Sequence, residues 1–201
     1  MSAVVTTLIE LERLKRLERT GWTLRGLPNG TESVASHSFG VGVTAMLLAD
    51  LFVSRGIDLN SERVLRIALL HDWAEVRVGD LPKTAGAYFG KELRKKAESA
   101  AFADVVSELP EVQSYKALYA EYEHRQSIEA RIVKVADVVD LLVEALALER
   151  AGYRGLNEFW EVLEERDFGL DGLARQLVDE VLDSLVMARS ELHKSSCADN
   201  E

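Results

Sequence analysis

His71 and Asp72 stand together in the run Leu69-Leu70-His71-Asp72-Trp73-Ala74-Glu75, at the end of an apolar stretch. His37 lies upstream in Glu32-Ser33-Val34-Ala35-Ser36-His37, and Asp137 follows Ile132-Val133-Lys134-Val135-Ala136 downstream. Together these supply two imidazoles and two carboxylates, each attached to a segment that ought to be buried. Such a mixed nitrogen and oxygen set suits a first-row divalent ion with open positions better than a sulfur-rich structural zinc site. The chemistry it points to is metal-assisted hydrolysis.

Each residue also has a plainer reading. A lone core histidine usually bonds a backbone carbonyl, which would account for His71, and His37 sits in a polar first turn where it would be exposed. Asp137 has Val135, Ala136, Val138 and Val139 as neighbours, so a solvated carboxylate is hard to place there; a salt bridge to Lys134 or Arg131 is the alternative. On a continuous helix His71 and Glu75 differ by about 40° in direction and Asp72 lies about 100° from His71. One turn would then aim all three at one cavity. Glu75 would be near an ion without completing its ligands, free to orient a water and take its proton, or else it pairs at the surface with Arg77 or Lys83. Asp80, in Val78-Gly79-Asp80-Leu81-Pro82, is a site residue or a turn former.

The elements that position these residues are read as helices throughout. Leu8, Leu11, Leu14 and Leu17 mark a first amphipathic helix ending near Gly21. Residues 22–31, with Gly26, Pro28, Asn29 and Gly30, form a loop. Ser33 caps a second helix through Val41, Ala45, Leu48 and Phe52 to Gly56. Asn60 or Ser61 caps a third that runs into His71 and stops at Gly79-Asp80-Leu81-Pro82. A fourth spans 91–108, a short one follows from Ser114, Ser127 caps a strong helix over 128–150, and a last helix spans about 170–192. No period-two alternation, internal repeat or second domain is present. The expectation is an all-α, single-domain helical bundle over residues 1–192 with a polar tail over 193–201.

Composition bounds the rest. At 201 residues and 47% hydrophobic the chain can bury a real core. A formal charge of −10 argues against a nucleic-acid polymer as partner, yet a dication and one or two arginines can still hold a small phosphate. The single cysteine, Cys197, fits a reducing cytoplasm. No secretory pattern opens the chain, and the longest run free of charge and histidine, residues 38–49, is too short to cross a bilayer.

A distant His, then His-Asp, then a distant Asp resembles the HD-domain metal-dependent phosphohydrolases, whose four ligands match His37, His71, Asp72 and Asp137. Arg19-Thr20-Gly21-Trp22, Glu32 to His37, His71 to Glu75, Gly79 to Pro82 and Glu129 to Asp137 look like successive motifs of its 5′-deoxynucleotidase group, in order and spacing, over about residues 8–150. The resemblance implies an HD-type helical bundle that removes phosphate from deoxyribonucleoside 5′-monophosphates, with little preference among bases. It implies that Glu75 handles the nucleophilic water and that Asp80 positions sugar and phosphate. The loop arginine and Trp22 would contact phosphate and deoxyribose, the indole crowding out a 2′-hydroxyl. Some members place arginine directly before the tryptophan; here Gly21 stands there, Arg19 lies three residues before Trp22, and Arg25 is a second candidate for the phosphate. Trp22 reads equally as a packing staple for the loop. The Gly-Tyr-Pro motif of the cyclic-dinucleotide branch is absent, as are the extra histidines of two-metal members.

His124 and His193 lie in polar surroundings and are assigned no chemistry, and Glu121 and Glu123 are left outside the site. The donor set admits Mn²⁺, Co²⁺, Fe²⁺, Ni²⁺ or Zn²⁺. Two other functions stand beside the first. A nucleoside triphosphate or pyrophosphate hydrolase on this fold would need more cations than Arg19, Arg25 and nearby Lys83. A catalytically silent nucleotide-binding module would be expected to have lost a ligand or the carboxylate. Leucine-rich helix faces, with the family analogy, imply a homodimer.

Overall fold

Ser33 is extended and its side chain accepts a hydrogen bond from the Ser36 amide, which satisfies an otherwise orphaned donor and starts a 21-residue helix. The same device starts two others, Asn60 accepting from the Arg63 amide and Ser127 from the Ala130 amide. The computed structural model describes residues 2–165 and 167–198. In chain order its helices are α1 (Ala3–Leu11), α2 (Thr20–Thr23), α3 (Val34–Ser54), α4 (Ser61–Leu70), α5 (Glu75–Val78), α6 (Gly86–Phe89), α7 (Lys91–Val105), α8 (Val112–His124), α9 (Ile128–Arg150), α10 (Asn157–Trp160) and α11 (Gly172–Ala198). Among the described residues there is no β-strand, and one antiparallel bridge joins Glu18 to Ser33.

Helix α9 is the centre of the bundle. Its buried residues, from Ala130 and Ile132 to Ala145 and Leu146, lie on nearly every side of it, as expected of a helix surrounded by others. It packs on α3, α4, α8, α10 and α11. Helix α3 buries Val34, His37, Val41, Ala45, Leu48 and Phe52 at helical spacing, and its other face leaves Phe39, Val43, Met46, Leu47 and Val53 exposed. By length and composition alone α3 is apolar enough to cross a membrane, but its inward face belongs to the core.

Several expectations are corrected. The first helix ends at Leu11 and a 3₁₀ turn follows over Glu12–Lys15. Leucines spaced by three drift around an α-helix but line up on a 3₁₀ turn; Leu14 is buried and Leu8 exposed. The loop after residue 22 begins as α2, and the third helix stops at Leu70, where His71 is its cap. A turn over 71–74 separates it from α5, so His71 and Glu75 do not share one continuous helix. The short α6 and α10 gave no periodic signal. Helix α11 runs beyond Leu192 to Ala198, into the expected tail; the side chain of Cys197 and residues 199–201 lie outside the described residues.

Candidate metal centre and active site

The two histidines are oriented through their Nδ1 atoms. His71 Nδ1 lies 2.7 Å from the Ala68 carbonyl oxygen, one turn back on α4, and His37 Nδ1 lies 2.8 Å from Asp140 Oδ2 on α9. With Nδ1–H donated in each case, Nε2 carries the free lone pair. Both rings are buried. His71 Nε2 stands 3.1 Å from Asp72 Oδ2, and His37 Nε2 stands 3.6 Å from the same oxygen and 3.2 Å from Asp137 Oδ1. Donor atoms of His37, His71 and Asp72 all lie within 4.8 Å of one another. Asp137 joins them from α9 through its contact with His37.

Whether these residues fit a cation can be tested on their hydrogen bonding. His37 Nε2, His71 Nε2, Asp72 Oδ2 and Glu75 Oε2 are buried with no hydrogen-bond partner among the described residues. An unpaired buried polar atom costs about 1–3 kcal/mol, and here three of them belong to the compact donor group. The remaining unpartnered atom, Trp160 Nε1, is not part of the cavity lining. A divalent cation would satisfy the three together, and the nitrogen and oxygen set suits one. The residues fit a metal.

Asp137 carries both of its sequence readings at once. Oδ2 accepts from Lys134 Nζ at 2.6 Å and from the Tyr122 hydroxyl at 3.3 Å, while Oδ1 faces His37. The exposed reading of His37 does not hold, because α9 covers it. Asp140 also needs Gly40: a β-carbon there would stand 2.0 Å from Asp140 Oδ1.

Charge is concentrated in this small volume. Burial opposes ionisation of Asp72, but the charges of His71, His37 and Arg19 hold its pKa below the usual carboxylate range. Burial likewise opposes Asp137, and Lys134 and His37 keep it low. For His37, burial and Arg19 work against the charge, and the facing carboxylates of Asp137 and Asp140 outweigh them, raising it to about 9. Glu75 is pushed up to about 10, first by burial, then by Asp72 and Asp80, against the pull of Arg19 and Arg94. Positive charge among the ligands would remove much of that push, since Asp72 is its leading electrostatic source.

A cavity of about 620 Å³ opens over the donors, and Arg19, Trp22, Arg25, His71, Asp72, Glu75, Asp80 and Asp137 all line it. Glu75 is buried, and Arg77 pairs instead with Glu10 and Asp104; the side chain of Lys83 lies outside the described residues. Asp80 Oδ2 accepts from the Thr20 amide at 2.6 Å and the Thr20 hydroxyl at 3.1 Å. It thereby fixes the start of α2, beside Arg19. The Leu17 carbonyl oxygen accepts from the Val34 amide and the Glu32 carbonyl oxygen from the Arg19 amide, closing the loop at its base. Arg19 Nη1 is 3.6 Å from Asp72 Oδ2. Burial opposes its charge, but Asp72, Asp80, Asp137 and Glu75 keep it protonated. Arg25 is held by Glu158. Trp22 is 1% exposed; its Nε1 donates to Glu32 Oε2 at 2.6 Å and its ring packs on Phe159 at 4.2 Å.

Sequence reasoning missed Asp140, Glu32 and Tyr122. Asp140 had a signal, since it lies three residues after Asp137 on the same helix face; Glu32 stood in a quoted motif without a role, and Tyr122 was given none. Glu121, left out of the site, is held by Arg63 and Ser127 at the α8–α9 junction, whereas Glu123 lines the cavity.

The HD domain family model matches residues 11–166. The chain is similar to 5′-deoxynucleotidase hdd1 of Schizosaccharomyces pombe, 33% identical over 165 residues, covering 78% of this chain and 79% of that protein. It is also similar to 5′-deoxynucleotidase HDDC2 of Xenopus laevis, 36% identical over 140 residues, 68% of this chain and 65% of that one. Among solved structures, the PH0347 protein from Pyrococcus horikoshii OT3 aligns with a TM-score of 0.78 at 32% identity, covering 92% of this chain and 99% of that one. A helical bundle that groups His37, His71 and Asp72, with Asp137 against His37, inside a match spanning most of the chain, leads to one conclusion: the chain belongs to the HD-domain family.

Proposed function

We propose that this protein is a 5′-deoxynucleotidase, hydrolysing deoxyribonucleoside 5′-monophosphates to deoxynucleoside and phosphate. Two relatives at 33% and 36% identity carry that name. The observation that carries the chemistry is the buried Oε2 of Glu75, unpartnered beside unpartnered donor atoms of His71 and Asp72 in the cavity that Arg19 also lines.

A divalent cation held by His37, His71, Asp72 and Asp137 would supply positive charge that acidifies water and offsets the charge of the phosphate. Glu75 accepts the proton of the water that attacks phosphorus. As the bond from phosphorus to the 5′ oxygen breaks, that proton passes to the departing oxygen, which leaves as the 5′-hydroxyl. Arg19, kept charged by four surrounding carboxylates, neutralises phosphate oxygens. Asp80 holds the Thr20 amide and so sets where Arg19 sits. Trp22 and Phe159 form the wall against which the sugar rests, and Arg25 is fixed by Glu158 at the rim.

Phosphate release from dAMP, AMP and dATP, with metal analysis of protein purified without chelator, tests this reading and leaves Mn²⁺, Co²⁺, Fe²⁺, Ni²⁺ and Zn²⁺ to be decided. Release from dAMP well above AMP and none from dATP is expected. Turnover of dATP alone would favour a triphosphate hydrolase, and nucleotide binding without turnover a silent binding module.

We further infer a cytoplasmic homodimer. The exposed Phe39, Val43, Met46, Leu47 and Val53 of α3 form an apolar face turned away from the cation site, larger than single scattered residues would explain. Met46→Glu would then shift light scattering from dimer to monomer mass. Cell fractionation tests the compartment.

A further inference from the structure

The cavity has two unlike walls. Helices α9 and α10 contribute apolar surface through Val138, Leu141 and Phe159. Helix α7 and the end of α8 contribute Lys91, Lys95 and Arg125. None of these three makes an ion pair within 4 Å or a side-chain hydrogen bond among the described residues. The other four cations of the cavity are engaged: Arg19 by Asp72, Arg94 by Glu98, Lys134 by Asp137, Arg25 by Glu158. Glu123 shares this wall and feels Lys95 and Lys134, so it offsets part of the charge but not all of it. All three are exposed where they line the cavity, and in a chain of formal charge −10 such an unpaired basic rim favours an anion.

Arg125 adds a second observation. Its φ of 50° makes it the one non-glycine residue with positive φ among the described residues. It occupies the left-handed cap of α8, a position where glycine or asparagine avoids the steric cost. An arginine kept there at that cost, with its side chain lining the cavity, points to a use for the guanidinium.

Position says which anion. From Ile128 to Asp137 helix α9 advances roughly 13 Å, and Arg125 lies just before its start. Taking the base to lie against the apolar wall, a nucleotide with its 5′-phosphate at the donors turns its 3′ oxygen toward the basic one. We propose that Lys91, Lys95 and Arg125 bind a second phosphate, carried on the 3′ oxygen of the substrate. The inference rests on the 5′-deoxynucleotidase reading and names the substrate class of that site: nucleotides phosphorylated at both ends of the sugar. The 3′-phosphate belongs either to a deoxynucleoside 3′,5′-bisphosphate or to a short 5′-phosphorylated oligonucleotide such as a dinucleotide.

The test compares dAMP, deoxyadenosine 3′,5′-bisphosphate, the 5′-phosphorylated deoxyadenosine dinucleotide and dATP on the metal-loaded protein. Specificity constants read turnover, and calorimetric Kd values on metal-loaded Glu75→Gln protein read binding whether or not the 5′-phosphate is hydrolysed. The bisphosphate should bind roughly tenfold more tightly than dAMP, as charge-assisted contacts to one added phosphate allow. Arg125→Gly, which suits the backbone and so keeps the fold, should cut that ratio to about twofold, and Lys91→Ala with Lys95→Ala should do the same. Arg55→Ala, roughly 27 Å along α3 from His37, should leave the ratio alone. A matching gain by the dinucleotide assigns an internucleotide phosphate, and a gain by the bisphosphate alone a terminal one. Equal Kd values for dAMP and bisphosphate overturn the proposal. So does an equal loss for both in Arg125→Gly, which would mean general steering, or an advantage confined to dATP. Absence of dAMP turnover with the binding ratio intact would instead remove the hydrolase reading and leave the subsite standing.

Discussion

Asp140 Oδ2 sits 2.8 Å from His37 Nδ1, in the space left by the missing side chain of Gly40. A hydrogen-bonded carboxylate behind a ligand histidine fixes the ring and raises its basicity, and losing one typically weakens metal affinity 10- to 100-fold. Asp140→Asn is therefore expected to lower affinity by about that factor, and Gly40→Ala to do likewise by displacing Asp140. Competition with a fluorescent chelator measures both, and unchanged affinity in the two variants would reduce Asp140 to a packing residue.

His71→Ala or Asp72→Ala should lose bound metal and activity together while circular dichroism still reports a helical protein. Some stability should go too, because buried carboxylates lose their compensation. Full metal occupancy in either variant would remove that residue from the ligand set.

Glu75→Gln retains size but not the ability to take a proton. Turnover of dAMP should fall about 10²–10⁴-fold, with metal content and dAMP affinity little changed. If the variant loses metal but turns over normally once metal is resupplied, Glu75 only supports the ligands, and Asp80 becomes the next candidate.

In the cation-free protein Glu75 has its pKa raised from 4.5 to about 10, by burial and then by Asp72 and Asp80. The folded state therefore holds a proton that the unfolded state releases, and stability falls as pH rises through that window. The His37 shift, from 6.5 to about 9, acts in the same direction within its own narrower window. Chelator-treated protein should thus show a Tm that declines from pH 5 toward pH 10, with a shallower slope in Glu75→Gln. A flat profile in the unsubstituted protein would contradict the burial of an ionisable carboxyl at that position.

Trp22→Ala removes an indole packed on Phe159 and bonded to Glu32, a loss of about 3–5 kcal/mol for a buried aromatic. It also widens the cavity beside the expected sugar position, so the specificity constants for dAMP and AMP should draw closer. A lowered Tm with an unchanged ratio would leave Trp22 a packing role only.

The candidate donors were legible because aspartate and histidine inside apolar runs conflict with their surroundings, and the caps Ser33, Asn60 and Ser127 fixed where their helices begin. The helix over 128–150 follows directly from Ser127 and its near-continuous apolar composition. The turn at 71–74 was not legible, because nothing in Leu70-His71-Asp72-Trp73 breaks a helix by composition; both sides of the break keep helical backbone angles. Nor was the basic wall. Lys91, Lys95 and Arg125 come from two elements some thirty residues apart, and each looks like an ordinary solvated charge until the chain is folded.

Helix α9 carries Lys134, Asp137 and Asp140 at intervals of three, with Val138 and Leu141 beside them in the cavity wall. Inserting or deleting one residue upstream within α9 would turn all of these by about 100° and slide them by about 1.5 Å relative to α3. That would part Asp137 and Asp140 from His37 at a stroke. A substitution along this helix acts on one side chain at a time, whereas a change of its length acts on the whole row, so length within α9 is held more tightly than in the connections between helices.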